Sequence, residues 1–174
     1  MSLPSIVVVD INGVLGDVCR FPVQGRKADV MLANGQYFYM RPGAVKFIDG
    51  LIDLVGLSRI IVWTSRVRRN AMPIERLFEE ELALHFQHTL HGEDCAEYVG
   101  YHPIKNVEVI RKCIGAKNAH IVFVDNHPDF VKVDDNSTVL HTMTYDANAM
   151  WEDIEELDRT LKIVESIVCQ HDSQ

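Results

Sequence analysis

The sequence predicts an α/β domain built on a central, mostly parallel sheet. Apolar runs at Ile6–Val9 (IVVV), 59–63 (RIIVW) and 119–124 (AHIVFV) are continuous rather than alternating. That pattern suits strands covered on both faces. Amphipathic helical stretches lie between them, as a crossover topology requires. Each run also ends on polar groups: Asp10 and Asn12, then Thr64, Ser65 and Arg66, then Asp125 and Asn126. Open α/β sheets bind their ligands at the carboxyl tips of parallel strands, so these groups are the first candidates for a site.

The first strand stops at Asp10, and Gly13 follows closely. A glycine there lets the backbone turn sharply and approach a bound group. Asp10 is a candidate nucleophile or metal ligand. Asn12 shares its loop but cannot transfer a proton as a carboxyl can.

Residues 18–40 read as a β-hairpin, because Asn34-Gly35 sits between two apolar-rich runs, a strong short-range hairpin signal. The hairpin is placed to fold over Asp10 as a flap. Phe21, Val23, Val30 and Leu32 then either wall the site or simply pack the hairpin onto the domain, and periodicity favours neither. Arg41, Pro42 and Gly43 open a helix over 44–55, whose buried face is Phe47, Ile48, Leu51, Ile52 and Val55.

The second strand delivers Thr64 beside the Asp10 loop. Thr and Ser are also routine helix N-caps, and a helix N-terminus is itself an anion site. Arg66, Arg68 and Arg69 form a cationic cluster in an acidic chain; phosphate contact and a solvated helix face weigh equally for it. A helix follows over 74–86. His85, His88 and His91 recur at spacing three, but they straddle a helix-to-strand change. Surface or core histidines are therefore expected there rather than a metal site.

Residues 92–103 read as irregular. Lys105 enters a helix carrying Val107, Val109, Ile110, Cys113 and Ile114. A lysine at that end opposes the helix dipole, a local conflict of the kind that function imposes. A short strand is expected at 139–142, and a closing helix at 150–168 carries Trp151, Ile154, Leu157, Leu161 and Val164.

Bulk properties bound the function. The length of 174 residues suits one domain, 1–174. A net charge of −8 argues against broad nucleic-acid or anionic-membrane binding. No apolar run approaches the ~18 residues that span a bilayer, and no secretory signal opens the chain. Cys19, Cys95, Cys113 and Cys169 form no CxxC pair. A reduced, intracellular protein (cytoplasmic or nuclear, not secreted) is expected.

Asp10 with Asn12, Thr64, Lys105, and Asp125 with Asn126, in that order, resemble the four motifs of the haloacid dehalogenase (HAD) superfamily. RPG ahead of an apolar helix, and YHPIKNVEVIRKCIG ahead of IVFVDNHPDF, look more closely like the small C-terminal-domain phosphatases, the NLI-interacting-factor or FCP/SCP-like group. The resemblance covers nearly the whole chain. It implies a HAD-like Rossmannoid three-layer fold with a small flap and no large cap domain. Asp10 would attack phosphorus to give an aspartyl-phosphate. Mg²⁺ would be held by Asp10, the carbonyl of Asn12, and the loop of Asp125 and Asn126, all hard oxygen donors. Thr64 and Lys105 would bind the phosphoryl oxygens, with Ser65, Arg66 and Asn126 also contacting substrate.

One departure bears on catalysis. In that family's DxDxT loop the second Asp protonates the leaving oxygen and then activates water, and here the position is Asn12, with Val14 in place of the Thr. Loss of a general acid–base lowers rates by about 10²–10⁴-fold. The resemblance thus implies a Mg²⁺-dependent phosphomonoester hydrolase for a phosphorylated Ser/Thr protein segment or a small phosphoester. The alternative is a pseudophosphatase that binds phosphopeptides without turnover. A dehalogenase-like hydrolase, in which Asp10 attacks carbon, tolerates Asn12 but suits neither an open site nor a Mg²⁺ loop.

Overall fold

A computed structural model describes residues 4–149 and 155–173. Along the chain, β1 (Ile6–Val9) is followed by β2 (Gly16–Cys19), β3 (Val30–Met31), β4 (Tyr37–Met40), α1 (Ala44–Val55), β5 (Ile60–Trp63), α2 (Arg68–Leu82) and β6 (Thr89–Leu90). Then come β7 (Glu97–Val99), β8 (His102–Asn106), α3 (Val107–Ile114), β9 (Ile121–Asp125), β10 (Val131–Lys132), β11 (Ser137–His141) and α4 (Glu156–Asp172). The central sheet has the order β11-β9-β1-β5-β6, and every pairing in it is parallel. The α/β expectation holds, and among the described residues there is no large cap domain.

The continuous apolar runs are explained by cover on both faces. Val7, Val9, Ile60, Val62, Val122 and Val124 pack with α1, α2 and α4 through Phe47, Leu51, Phe78, Leu157 and Val164. Their alternates Ile6, Val8, Ile61, Trp63, Ile121 and Phe123 pack on the opposite face with Val107 and Ile110 of α3. Each such side chain contributes about 1.5–3 kcal/mol relative to remaining exposed. Alternation by two sorts the strand residues between the cores, so neither face has room for a polar residue.

Helix limits differ from the sequence reading at several ends; α2 stops at Leu82 rather than 86, and α4 runs to Asp172 rather than 168. α2 begins at Arg68, ahead of the expected 74, and contains Pro73. That proline removes one intrahelical donor, yet burial of Asn70, Ala71 and Ile74 holds the preceding turn in place. Lys105 does not open a helix. It lies in β8, and α3 is capped instead by Asn106, whose side chain accepts from the Glu108 amide at 3.0 Å. The stretch at 92–103 is likewise not irregular throughout: β7 and β8 pair antiparallel around Gly100 and Tyr101, and β10 adds parallel to β8. In the closing helix, Trp151 and Ile154 lie outside the described residues.

The flap exists as a three-stranded antiparallel sheet, order β2-β4-β3, with Asn34-Gly35 in its tip. Val23 and Leu32 are buried at 8% and 3% exposure, while Phe21 stands 71% exposed. Leu32 joins the main core, and Val23 packs on Tyr39 and Tyr145. These side chains anchor the flap; they do not wall the site.

Arg111, not singled out from the sequence, clasps the turn between α3 and β9. Its Nε and Nη2 donate to Asp134 at 2.6 and 2.9 Å, and Nη1 donates to the carbonyls of Ala116, Lys117 and Ala119. The guanidinium holds the Asp134 carboxyl down at about 2. A carboxyl depressed in the folded state stabilises above its unfolded pKa, and that contribution fades as pH falls through the folded value. Arg111→Met is expected to lower stability by about 2–4 kcal/mol in urea unfolding at pH 7, because several buried acceptors lose a charged donor. The loss should shrink toward pH 2; a deficit independent of pH would mean the ion pair contributes nothing.

Candidate active site

The central place of β1 sets the site. Val9 is in register with Val62 of β5 and Val124 of β9, so the tips of the three strands lie side by side. The Asp10 amide donates to Val124 O at 3.0 Å, which ties the residue to β9. The loop beyond is held by a Leu15 amide bond to Ile11 O and by the Val18 amide, which donates to Asn12 Oδ1 at 3.0 Å. Gly13 has φ +89°, and a Cβ there would fall 2.2 Å from the Asn126 amide. Only glycine permits both that conformation and that contact.

Lys105 binds the two strand tips together. Its Nζ lies 2.7 Å from Asp10 Oδ1 and 2.6 Å from Asp125 Oδ2, and all three residues are no more than 7% exposed. Burial pushes the Asp10 carboxyl up, to about 7, with the neighbouring Asp125 charge adding to it and Lys105 opposing it. Burial alone would lower the lysine, but the two carboxylates outweigh it and hold the ammonium above its ordinary value. The result is a charged group fixed where a phosphoryl group would need positive charge.

Asn126 completes a second cluster. Its amide nitrogen donates to Thr144 Oγ1 at 3.0 Å. The other end of the same amide then faces Asn12 O at 3.0 Å and Asp10 Oδ2 at 3.2 Å. With oxygen there, three oxygens converge with no proton between them. Turning the amide over puts nitrogen there and makes two hydrogen bonds instead. Without a cation the turned amide is the better satisfied; a cation selects the oxygen. Asp10 Oδ2 and Asn12 O are hard oxygen donors of the kind Mg²⁺ takes. Asp125, also expected as a ligand, has Oδ2 on Lys105 and Oδ1 on the His127 amide at 2.8 Å.

A cavity of about 230 Å³ opens over these groups, lined by Asp10, Asn12, Ser65, His102, Pro103, Lys105, Asp125, His127 and Phe130. A larger groove of about 730 Å³ runs along the start of α1 past Asp29, Lys46, Asp49 and Glu81. Apart from buried Arg41, its charged side chains are exposed, whereas the smaller cavity gathers the buried Asp10, Lys105 and Asp125.

The remaining predicted residues are placed unevenly. Thr64 is buried, and its hydroxyl accepts from the Arg66 amide at 3.3 Å. Ser65 is exposed at the cavity. Arg66 turns toward the flap, where Nη1 donates to Gln36 at 2.8 Å; desolvation holds its guanidinium below the ordinary value, while Asp10 and Asp17 pull the other way. Arg68 and Arg69 are exposed on α2. A Cβ at Gly92 would fall 2.5 Å from Ser65 O, so this glycine lets the 90–92 segment press the Thr64 loop into place. His91 and Glu75 form a buried pair at 2.7 Å, whereas His85 meets Glu79 at the surface. The three histidines therefore do not share a site.

The sequence reading did not single out His102, Pro103, His127 or Phe130. Two of them lie within DNHPDF and two within YHPIK, next to residues that were singled out.

The NLI interacting factor-like phosphatase family matches residues 5–174. The chain belongs to that family. Membership of the NLI interacting factor-like phosphatases agrees with the fold. A structure of fission yeast RNA polymerase II CTD phosphatase Fcp1 bound to beryllium fluoride aligns with a TM-score of 0.63 at 14% identity, covering 96% of this chain and 51% of that one. A second structure of Fcp1, an essential RNA polymerase II CTD phosphatase, gives 0.62 at 14% identity over 94% and 50%. The chain thus spans about half the length of these Fcp1 chains. No curated protein matches the sequence. Among the described residues no helix is long and apolar enough to cross a membrane.

Proposed function

We propose that the chain is a Mg²⁺-dependent phosphomonoester hydrolase in which Asp10 is the nucleophile. The observation that supports this most is the division of labour on one carboxylate: Oδ2 faces the Asn126 amide, which also meets Asn12 O, while Oδ1 faces Lys105. Oδ2, Asn12 O and Asn126 Oδ1 would hold Mg²⁺, which supplies charge to the phosphoryl oxygens when bound. That leaves Oδ1 as the attacking oxygen, beside the ammonium that offsets the charge of the incoming phosphate. Asp10 is then phosphorylated, and water hydrolyses the aspartyl-phosphate. Lys105, Ser65 and the loop following Thr64 orient the phosphoryl group.

The substrate proposed is a phosphorylated protein segment or a small phosphoester, and no flap residue lines the cavity among the described residues. Asn12 favours one second reading, a phosphate-binding pseudophosphatase, because no carboxyl occupies its place. Both readings require the pocket to bind a phosphoryl mimic with Mg²⁺. Beryllium fluoride with Mg²⁺, at concentrations ~100-fold above Kd, is expected to raise Tm by about 5 °C or more, and a chelator should remove the shift. No Mg²⁺-dependent shift would sink both readings.

A further inference from the structure

One wall of the cavity is unused by the phosphatase chemistry. His102 and Phe130 stack with centroids 4.6 Å apart and planes 17° apart. His127 leans on the same Phe130 ring at 6.0 Å, and Pro103 continues the surface. His102 comes from the β7–β8 hairpin and Phe130 from the turn after β9, so two distant segments build this face jointly. Burial orders the cavity. Asp10 and Lys105 are at its deep end, Pro103 and Phe130 are half-buried, and His102 and His127 are exposed. A phosphoryl group seated on Asp10 therefore directs its organic group outward along the flat rings.

Among the described residues the deep end offers the leaving oxygen no carboxyl beyond Asp10 and Asp125, both held by Lys105. Asn12 lines the cavity, and its side-chain oxygen is tied to the Val18 amide. An ester oxygen must then leave as an anion or take its proton from water. A phenol, with a pKa of ~10 as in tyrosine, leaves without help far more readily than an aliphatic alcohol. The aromatic face and the missing acid, seen in different residues, select the same leaving group.

We propose that this site takes aryl phosphate monoesters, the phosphotyrosine side chain being their protein-borne form, in preference to alkyl phosphates such as phosphoserine. The proposal rests on the phosphatase reading above. An Asp10 oxygen bonds to phosphorus as the bond from phosphorus to the aryl oxygen breaks, and the electron pair stays on the phenolate, which water protonates. A second water then attacks phosphorus, the bond to Asp10 breaks, and both protons of that water leave on the released phosphate. Because kcat/KM reports the first of these steps, the preference shows even where the second limits kcat.

The test compares a phosphotyrosyl peptide, the same peptide carrying phosphoserine, and free phenyl phosphate, all with Mg²⁺ and the intact chain. The phosphotyrosyl-to-phosphoseryl ratio of kcat/KM is expected to be ~10²-fold or more. Phe130→Leu keeps apolar bulk without a flat ring and should lower that ratio about 3–10-fold. His102→Phe keeps the stack and should retain the ratio. Phenyl phosphate matching the peptide identifies a free aryl ester as sufficient; a peptide advantage identifies a protein-borne one. Equal values for the two peptides overturn the proposal while leaving the phosphatase reading intact. Loss of turnover on every ester in His102→Phe also overturns it, since His102 would then supply the missing proton. If nothing is turned over, binding decides: tighter phosphotyrosyl binding supports the proposal, and equal affinity rejects it. Failure to bind any ester or beryllium fluoride rejects this proposal and the phosphatase reading together.

Discussion

Asn12→Asp is expected to raise Mg²⁺-dependent turnover of an alkyl phosphate by about 10²–10⁴-fold. Asn12 Oδ1 already accepts the Val18 amide at 3.0 Å, and a carboxylate oxygen can keep that bond, so the loop need not move. The amide nitrogen is replaced by an oxygen of similar size that can carry a proton. Half-burial beside the Asp10 carboxylate favours the protonated form of a new carboxyl, the form that donates to a leaving alkoxide. The gain on an aryl ester should be much smaller, because a phenolate needs less help. Initial rates on both esters test this. Adding Asp10→Asn to the same chain should return the rate to background, which separates restored chemistry from a contaminating activity. An Asn12→Asp protein no faster than its parent would mean that proton transfer is not what limits this site.

The strands at Ile6–Val9, Ile60–Trp63 and Ile121–Asp125 were legible in the sequence because burial on both faces leaves an unbroken apolar signal. Asp10, Asn12 and Asp125 were legible because they terminate those runs. The β7–β8 hairpin was not. All of β7 is exposed, and Tyr98 and Val99 face solvent, so neither alternation nor a buried run marks it. From sequence alone Lys105 is marked only by a charge at the wrong end of a helix. Its position became intelligible once β8 carried it between two carboxylates contributed by other strands. The aromatic face of His102 and Phe130 depends on β10 pairing with β8, a long-range contact with no local signature. The flap's apolar residues had two readings of equal standing, and core packing claimed Leu32 and Val23.

Lys105→Met is expected to remove turnover and to lower stability by about 3–5 kcal/mol in metal-free urea unfolding. Methionine fills similar volume, so the loss is electrostatic rather than a cavity. The ammonium is the group joining Asp10 Oδ1 at 2.7 Å and Asp125 Oδ2 at 2.6 Å, and each partner is almost wholly buried. Without it the two carboxylates lie close together in a poorly solvated place. Mg²⁺ should recover more stability in the variant than in the parent. Asp10 Oδ2 and Asn12 O, both beside the Asn126 amide, make no contact with the lysine, so under the proposed reading these donors survive and a dication can take over part of its charge. Turnover should not return with the stability, because the positive charge on the Oδ1 side, where phosphate must dock, would still be missing. A variant that unfolds at the same urea concentration as its parent would show that the ion triad does not hold the strand tips together. The role of Lys105 would then be confined to binding the phosphoryl group.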